Sequence, residues 1–243
     1  MKKLVLTLCV AMVTMVSMAF AQSKEGGSGY IVVKNKTTKE TTPPITLESF
    51  SNLWGGYEGS VPKFPLGIYA GDEIEVSYTS SNTGVGVSPS LFWGYTIGSE
   101  TYKGGDNASL SWNFTVPKRS SDNLTLQVGF DYYAFMTYPP IDPTHYTLTF
   151  ENKVVNDVRF FSEYSVLTHE LRVKYVHFND LIPYLQQSPT VYWYSVNGGL
   201  ILGNESMDRN GTVTFDTKGR TGYFIVKVIV NGVALPAETI LLY

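Results

Sequence analysis

The stretch PTVYWYSVNGG, residues 189–199, joins the two local signals from which the whole chain can be read. In an extended strand Val191, Trp193 and Ser195 face one way, and Tyr192, Tyr194 and Val196 face the other. Asn197-Gly198 then tolerates the positive φ angles of a two-residue hairpin turn. Trp193 belongs on the dry face, beside Phe215 and the stripe Phe224, Val226, Val228 and Val230. Burying a tryptophan removes a large apolar area from water and leaves a single N–H to satisfy. The three consecutive aromatics are thus mainly architecture.

The same alternation recurs along the chain. In SLSWNFTV (109–116) Leu110, Trp112, Phe114 and Val116 share one face, and EIEVSYTS (73–80) and HYTLTFE (145–151) repeat the pattern. Trp93 and Trp112 are read as core on this basis. Two further Asn-Gly pairs, Asn210-Gly211 and Asn231-Gly232, punctuate the second half. Strands are expected near 30–34, 45–50, 73–80, 90–97, 109–116, 124–136 and 145–151. A second set is expected near 158–161, 169–178, 190–196, 200–203, 211–217, 223–230 and 238–243. The best helical segment, FNDLIPYLQQ (178–187), has Asn179 or Asp180 as cap and is limited to about one turn by Pro183. Two sets of about seven short strands predict an all-β chain of two tandem immunoglobulin-like β-sandwiches, residues 30–152 and 153–243, divided near ENKVVND (151–157). One larger jelly roll is the alternative architecture.

The N-terminus reads as an address. Lys2 and Lys3, the apolar run Leu4 to Met18, and Ala19-Phe20-Ala21 predict a secretory signal peptide over residues 1–21. The lone cysteine, Cys9, leaves with it, so neither disulfides nor a thiolate nucleophile are expected in the remaining 222 of 243 residues. Loss of Lys2 and Lys3 shifts the net charge from −3 to −5, and the remaining cations are scattered. Nucleic acid is not an expected partner. No later apolar run is long enough for a membrane-spanning helix. Residues 22–29, QSKEGGSG, form a flexible linker. The mature chain is expected in the periplasm, at the cell surface or outside the cell.

No catalytic motif or cofactor fingerprint is found. HEL at 169–171 lacks the second histidine of a zinc protease helix. His169 and His177 share strand parity but stand at opposite ends of one expected strand, too far apart to chelate one metal. Asp131 and Asp142 are the least arbitrary carboxylates for a glycoside hydrolase or lyase, the enzymatic alternative. Asp208, Asn210 and Asp216 offer oxygens for calcium, but an Asn-Gly hairpin accounts for that segment, and no metal site is assigned.

The candidate ligand-binding residues are aromatics that alternation does not explain. Trp54 and Tyr57 lie in the aperiodic, glycine-rich SNLWGGYEGSVPKFP (51–65). Tyr133 and Phe135 precede a second aromatic loop that carries Tyr138 and reaches Asp142. Exposed aromatics edged by Glu58 and Asp142 suit stacking on a sugar ring or anchoring a protein partner. The leading expectation is therefore a non-catalytic binding or adhesion module for a glycan or an extracellular protein.

Residues 164–243 also resemble the C-terminal sorting domains of bacterial type IX secretion cargo. The resemblance rests on VYWYSVNGGLI (191–201), TFDTKGRTGYFIVKVIVNG (214–232) and ETILLY (238–243), with Tyr194, Gly198, Gly222, Tyr223 and Gly232 at the turn positions. A basic residue after the glycine turn and a basic tail are missing. The resemblance implies that the second half serves export.

Overall fold

Alternation in sequence becomes alternation in burial: along β1 (Gly29–Asn35) every second residue is buried. The computed structural model describes residues 29–47, 57–80, 90–106, 110–118, 123–131, 144–196 and 199–243. After β1 the first half continues with β2 (Ile45–Leu47), β3 (Tyr57–Val61), β4 (Ile68–Tyr69), β5 (Glu73–Ser80) and β6 (Ser90–Ile97). It closes with β7 (Glu100–Asp106), β8 (Ser111–Thr115), β9 (Asn123–Asp131) and β10 (Thr144–Val155). The second half holds β11 (Phe160–Ser165), β12 (Glu170–Tyr175), β13 (Thr190–Ser195) and β14 (Ile201–Ser206). It ends with β15 (Thr212–Asp216), β16 (Gly222–Val230), β17 (Val233–Ala234) and β18 (Glu238–Leu242).

Each half is a two-sheet sandwich. The first pairs a sheet of order β2-β1-β5-β8 with one of order β3-β10-β9-β6-β7, to which β4 adds through β10. The second pairs β11-β12-β15 with β14-β13-β16-β17, to which β18 adds through β16. Without β2, β3 and β4 in the first half and the two-residue β17 in the second, both halves share one plan: the first, second and fifth strands form one sheet, and the fourth, third, sixth and seventh form the other. That division is immunoglobulin-like. The three extra strands all lie in the connection between β1 and β5. β3 and β4 run parallel to β10, and β2 lies antiparallel on β1.

Two separate apolar cores follow, where a jelly roll would have one. The first gathers Ile31, Val33, Ile74, Val76, Trp93, Leu126 and Leu148. The second gathers Leu171, Val191, Trp193, Phe215, Phe224, Val226 and Val228. Trp193 packs against Phe215 and Phe224, as its sequence position predicts, with ring centroids 6.0 and 5.5 Å away. Gly203 on the neighbouring strand allows this: a Cβ there would stand 2.7 Å from the indole nitrogen.

Several local expectations change. Trp112 is half-buried and Leu110 is 57% exposed, in and beside β8, an edge strand. Trp112 instead stacks on Phe114, 5.0 Å away, in a column that continues through Tyr95 to Tyr102. β3 lies inside the segment read as an aperiodic loop. Its YEGSV sequence shows little alternation, and its backbone is held by the parallel partner β10. The single turn of helix, Phe178–Leu181, is entered from His177 in a left-handed conformation with no side-chain cap, so neither Asn179 nor Asp180 caps it. His169 and His177 lie in turns beyond the ends of β12, each with positive φ.

Of the asparagine-glycine pairs, Asn231-Gly232 makes the expected hairpin, Asn210-Gly211 instead connects β14 to β15 in the other sheet, and Asn197-Gly198 lies outside the described residues. Asn231 and Gly232 both have positive φ in the β16–β17 turn. The Asn231 side chain reaches back to the end of the short helical segment, accepting from Gln186 N–H and donating to the Tyr184 carbonyl. At Gly211 a Cβ would meet the Phe178 ring at 2.4 Å, so close approach and a φ of +70° both require glycine.

Candidate functional site

The most elaborate polar arrangement among the described residues lies between the two sandwiches. Arg159 immediately precedes β11, and its carbonyl accepts the N–H of Val176, which fixes its backbone to the second sandwich. Its side chain crosses to the first. Nη1 and Nη2 donate to the two Asp72 carboxylate oxygens at 2.8 and 2.7 Å, and Nη2 and Nε reach the Gly67 and Leu66 carbonyls. The guanidinium also lies 4.1 Å from the centre of the Tyr69 ring. Planar, five-donor geometry makes arginine suited to such a site. Asp72 further accepts from Asn35 Nδ2 and from the Tyr69 N–H, so the ion pair is anchored to β1 as well.

The β1–β5 connection supplies nearly all of the first sandwich's contribution. Leu66 from this segment is buried in the second core. Lys63 lies 5.6 Å from the Tyr184 ring centre. Glu40 accepts the Leu66 N–H and the Thr38 hydroxyl, and burial, the largest influence, raises its pKa above the ordinary carboxylate range. Tyr175 of β12 is held neutral well past its ordinary range, first by burial and then by the nearby Tyr69. Asn152 in β10 completes the support by exchanging two hydrogen bonds with the Phe64 backbone.

An open cleft of about 420 Å³ runs along this seam, with Thr37, Asp72, Asp157, Arg159 and Glu238 among its walls. Its carboxylates are engaged. Asp72 holds Arg159, Asp157 accepts the Val158 N–H, and Glu238 accepts the Ser162 hydroxyl. Asp72 and Glu238 thereby tie separate strands together, while Asp157 is exposed.

Of the residues singled out from sequence, Trp54, Tyr133, Phe135, Tyr138 and Asp142 lie outside the described residues. Tyr57 opens β3, opposite Tyr146 of β10, and Glu58 beside it is exposed opposite Thr147. Asp131 ends β9, opposite Ser90. Asp208 spends one carboxylate oxygen on the N–H groups of Asn210 and Thr212, which shapes the turn that sequence offered to calcium. The seam itself was missed by sequence reading. A lone Arg159 in NDVRFF and a lone Asp72 in AGDE carry no pattern that relates them.

No protein-family model matches the chain, and no curated protein matches it. Among solved structures it is similar to the fibronectin(III)-like modules of Clostridium thermocellum CbhA, at 9% identity over 77% of this chain and 88% of that one, with a TM-score of 0.30. It is similar to a two-domain fibronectin type-III segment of chicken tenascin, at 10% identity over 71% and 93% of the two chains, with a TM-score of 0.27. A third similarity is to the BSP domain of a biofilm associated protein, at 12% identity over 72% of this chain and 28% of that one, with a TM-score of 0.28. Similarity at this level assigns neither ligand nor activity. No helix among the described residues is long and apolar enough to cross a membrane.

Proposed function

We propose that the chain is an exported, non-catalytic binding module that recognises a glycan or an extracellular protein through loops of its first sandwich. One observation carries the preference for binding over catalysis. The buried polar side chains among the described residues (Asn35, Thr38, Thr42, Asp72, Asn152, Arg159 and Thr217) all hydrogen-bond to structural partners. Buried charge here joins strands and sandwiches, whereas catalytic sites leave perturbed groups facing a cleft.

In this reading Trp54, Tyr57, Tyr133, Phe135 and Tyr138 are the contact residues. The signal peptide directs the chain to the periplasm, the cell surface or the medium. Residues 30–152 and 153–243 act as two domains, and the second serves as the export signal that its resemblance to type IX sorting domains implies. A glycan-array screen and a pull-down from extracellular protein, both with residues 22–243, test the proposal. Trp54→Ala should weaken the captured interaction about ten-fold or more with an unchanged melting curve. Hydrolysis or cleavage of an arrayed glycan, or capture unaffected by Trp54→Ala, would overturn it.

A further inference from the structure

Tyr192 and Tyr194 flank Trp193 in the chain but share none of its surroundings. Trp193 is buried with Val191, whereas both tyrosines stand half-buried on the outer face of the sheet. Strand register fixes their neighbours there. Tyr192 lies between Asn204 of β14 and Lys227 of β16. Tyr194 lies between Ile201 and Ile225, and Thr239 of β18 continues that row. Thr190 and Ile229 form the next row along the strands. Residues directly opposed on neighbouring strands share a face and stand about 5 Å apart. An amide, a phenol ring and an ammonium group thus run side by side across three strands.

The charge on this face is one-sided. Lys227 is the only charged side chain in these rows, and it is in no ion pair among the described residues. The carboxylates on the same strands belong to the other side of the sheet. Glu205 and Glu238 are in register with Val191 and Val226, both buried, and Glu238 is held there by the Ser162 hydroxyl. The outer face of the opposing sheet is built differently. There Glu170, Arg172, Lys174 and Asp216 mix both signs on neighbouring strands, as on an ordinary solvated surface.

We propose that this outer face binds an acidic polysaccharide, with sugar rings over Tyr192 and Tyr194 and a sugar carboxylate on Lys227. A pyranose ring has a C–H face and a hydroxylated rim, and tyrosine, apolar in its body and polar at its tip, meets both. Asn204 and Thr190 add donors and acceptors for the rim. The lone cation calls for an anion from the ligand, because the face supplies none. A second copy of the chain fits poorly. Face-to-face pairing about a two-fold axis brings the two Lys227 ammonium groups together with no carboxylate between them. The area also suits a narrow ligand. The strands β14, β13, β16 and β18, ~4.8 Å apart and each giving about six residues at ~3.3 Å, span roughly 300–400 Å². A stable protein interface takes ~800 Å² on each side. The platform is separate from the ligand site proposed on the first sandwich.

Isothermal titration of residues 22–243 with oligogalacturonate, and with a neutral gluco-oligosaccharide of the same length, tests this directly. The acidic oligomer should bind about ten-fold more tightly or better, and the difference should shrink as salt rises. Tyr192→Ala and Tyr194→Ala should each weaken binding about ten-fold. Lys227→Gln should bring the acidic oligomer down to the affinity of the neutral one with an unchanged melting curve. That outward substitution keeps the test readable if a tyrosine variant fails to fold. Equal affinity for the two oligomers, or none for either, overturns the proposal. So does acidic-glycan binding that all three variants leave intact, which would belong to the first sandwich. Poly-glutamate bound as tightly as oligogalacturonate would overturn it in favour of an acidic peptide. Dimerisation lost in Tyr194→Ala, without glycan binding, would overturn it in favour of a second copy of the chain.

Discussion

Arg159 and Asp72 lie 87 positions apart in the chain and meet as a bidentate ion pair, with Arg159 bound by its backbone to one sandwich and Asp72 rooted in the other. Their side chains are 7% and 3% exposed, so water screens the pair little. Pairing two buried charges recovers their desolvation cost only when the geometry is good and the remaining donors are satisfied. Both conditions hold here, because the Leu66 and Gly67 carbonyls take up further guanidinium hydrogens.

Breaking this pair from one side should therefore be severe. Arg159→Met leaves the Asp72 carboxylate buried without its cation and should cost about 3–5 kcal/mol. Asp72→Asn removes the charge from the other side and should cost a comparable amount. The double variant should recover part of the sum, because it leaves neither charge unpaired. Urea unfolding of the four proteins measures this coupling, and strictly additive losses would show that the two residues act independently.

The seam also determines where the chain tolerates division. β10 runs on to Val155, Val154 is buried in the first core, and Val154 and Val155 pair with Ile68 and Tyr69 of β4. A fragment 22–152 should fold but melt lower than a fragment 22–156, which keeps those pairings. Fragment 153–243 should fold with Arg159 and the Leu66 site newly exposed, and melt below the full chain. Thermal melts of the three fragments decide this. Fragments that are molten alone and fold only when mixed would make the two sandwiches one cooperative unit.

The two aromatic positions in edge and centre should separate clearly. Trp193→Ala empties a fully enclosed site and should cost about 3–5 kcal/mol, the range for truncating a buried aromatic. Trp112 is half-buried on an edge strand, and its removal should cost distinctly less. Denaturant midpoints at constant m-value compare them, and equal losses would mean that the Trp112 column stabilises as much as the core.

Glu40 gives the seam a pH signature. Burial raises its folded pKa above that of the unfolded chain, so the folded state holds the proton more tightly. That contribution is complete below the unfolded value and is lost as pH rises through the folded one. Glu40→Gln keeps an oxygen for the Leu66 N–H but cannot ionise. Relative to the variant, the native protein should lose stability as pH climbs from the ordinary glutamate range toward neutrality. Melting temperatures of both proteins across that interval check the sign, and parallel curves would remove Glu40 from the account.

What the sequence determined by itself was local. Side-chain alternation with period two placed β5 and β6 at their observed limits, and Asn231-Gly232 marked its turn, because both signals depend only on neighbouring residues. Trp193 was legible as core from the same alternation. Tertiary structure decided everything that joins distant segments. β3 is a strand because β10 lies beside it in parallel, and its own residues barely alternate. Trp112 is half-buried on β8, whose place at a sheet edge no stretch of eight residues contains. Among the proposed ligand-binding aromatics, sequence could mark only what alternation left unexplained. Arg159 and Asp72 gave no sign of each other. A hydrogen-bond ladder and a buried ion pair are relations between surfaces that exist only once the chain has folded.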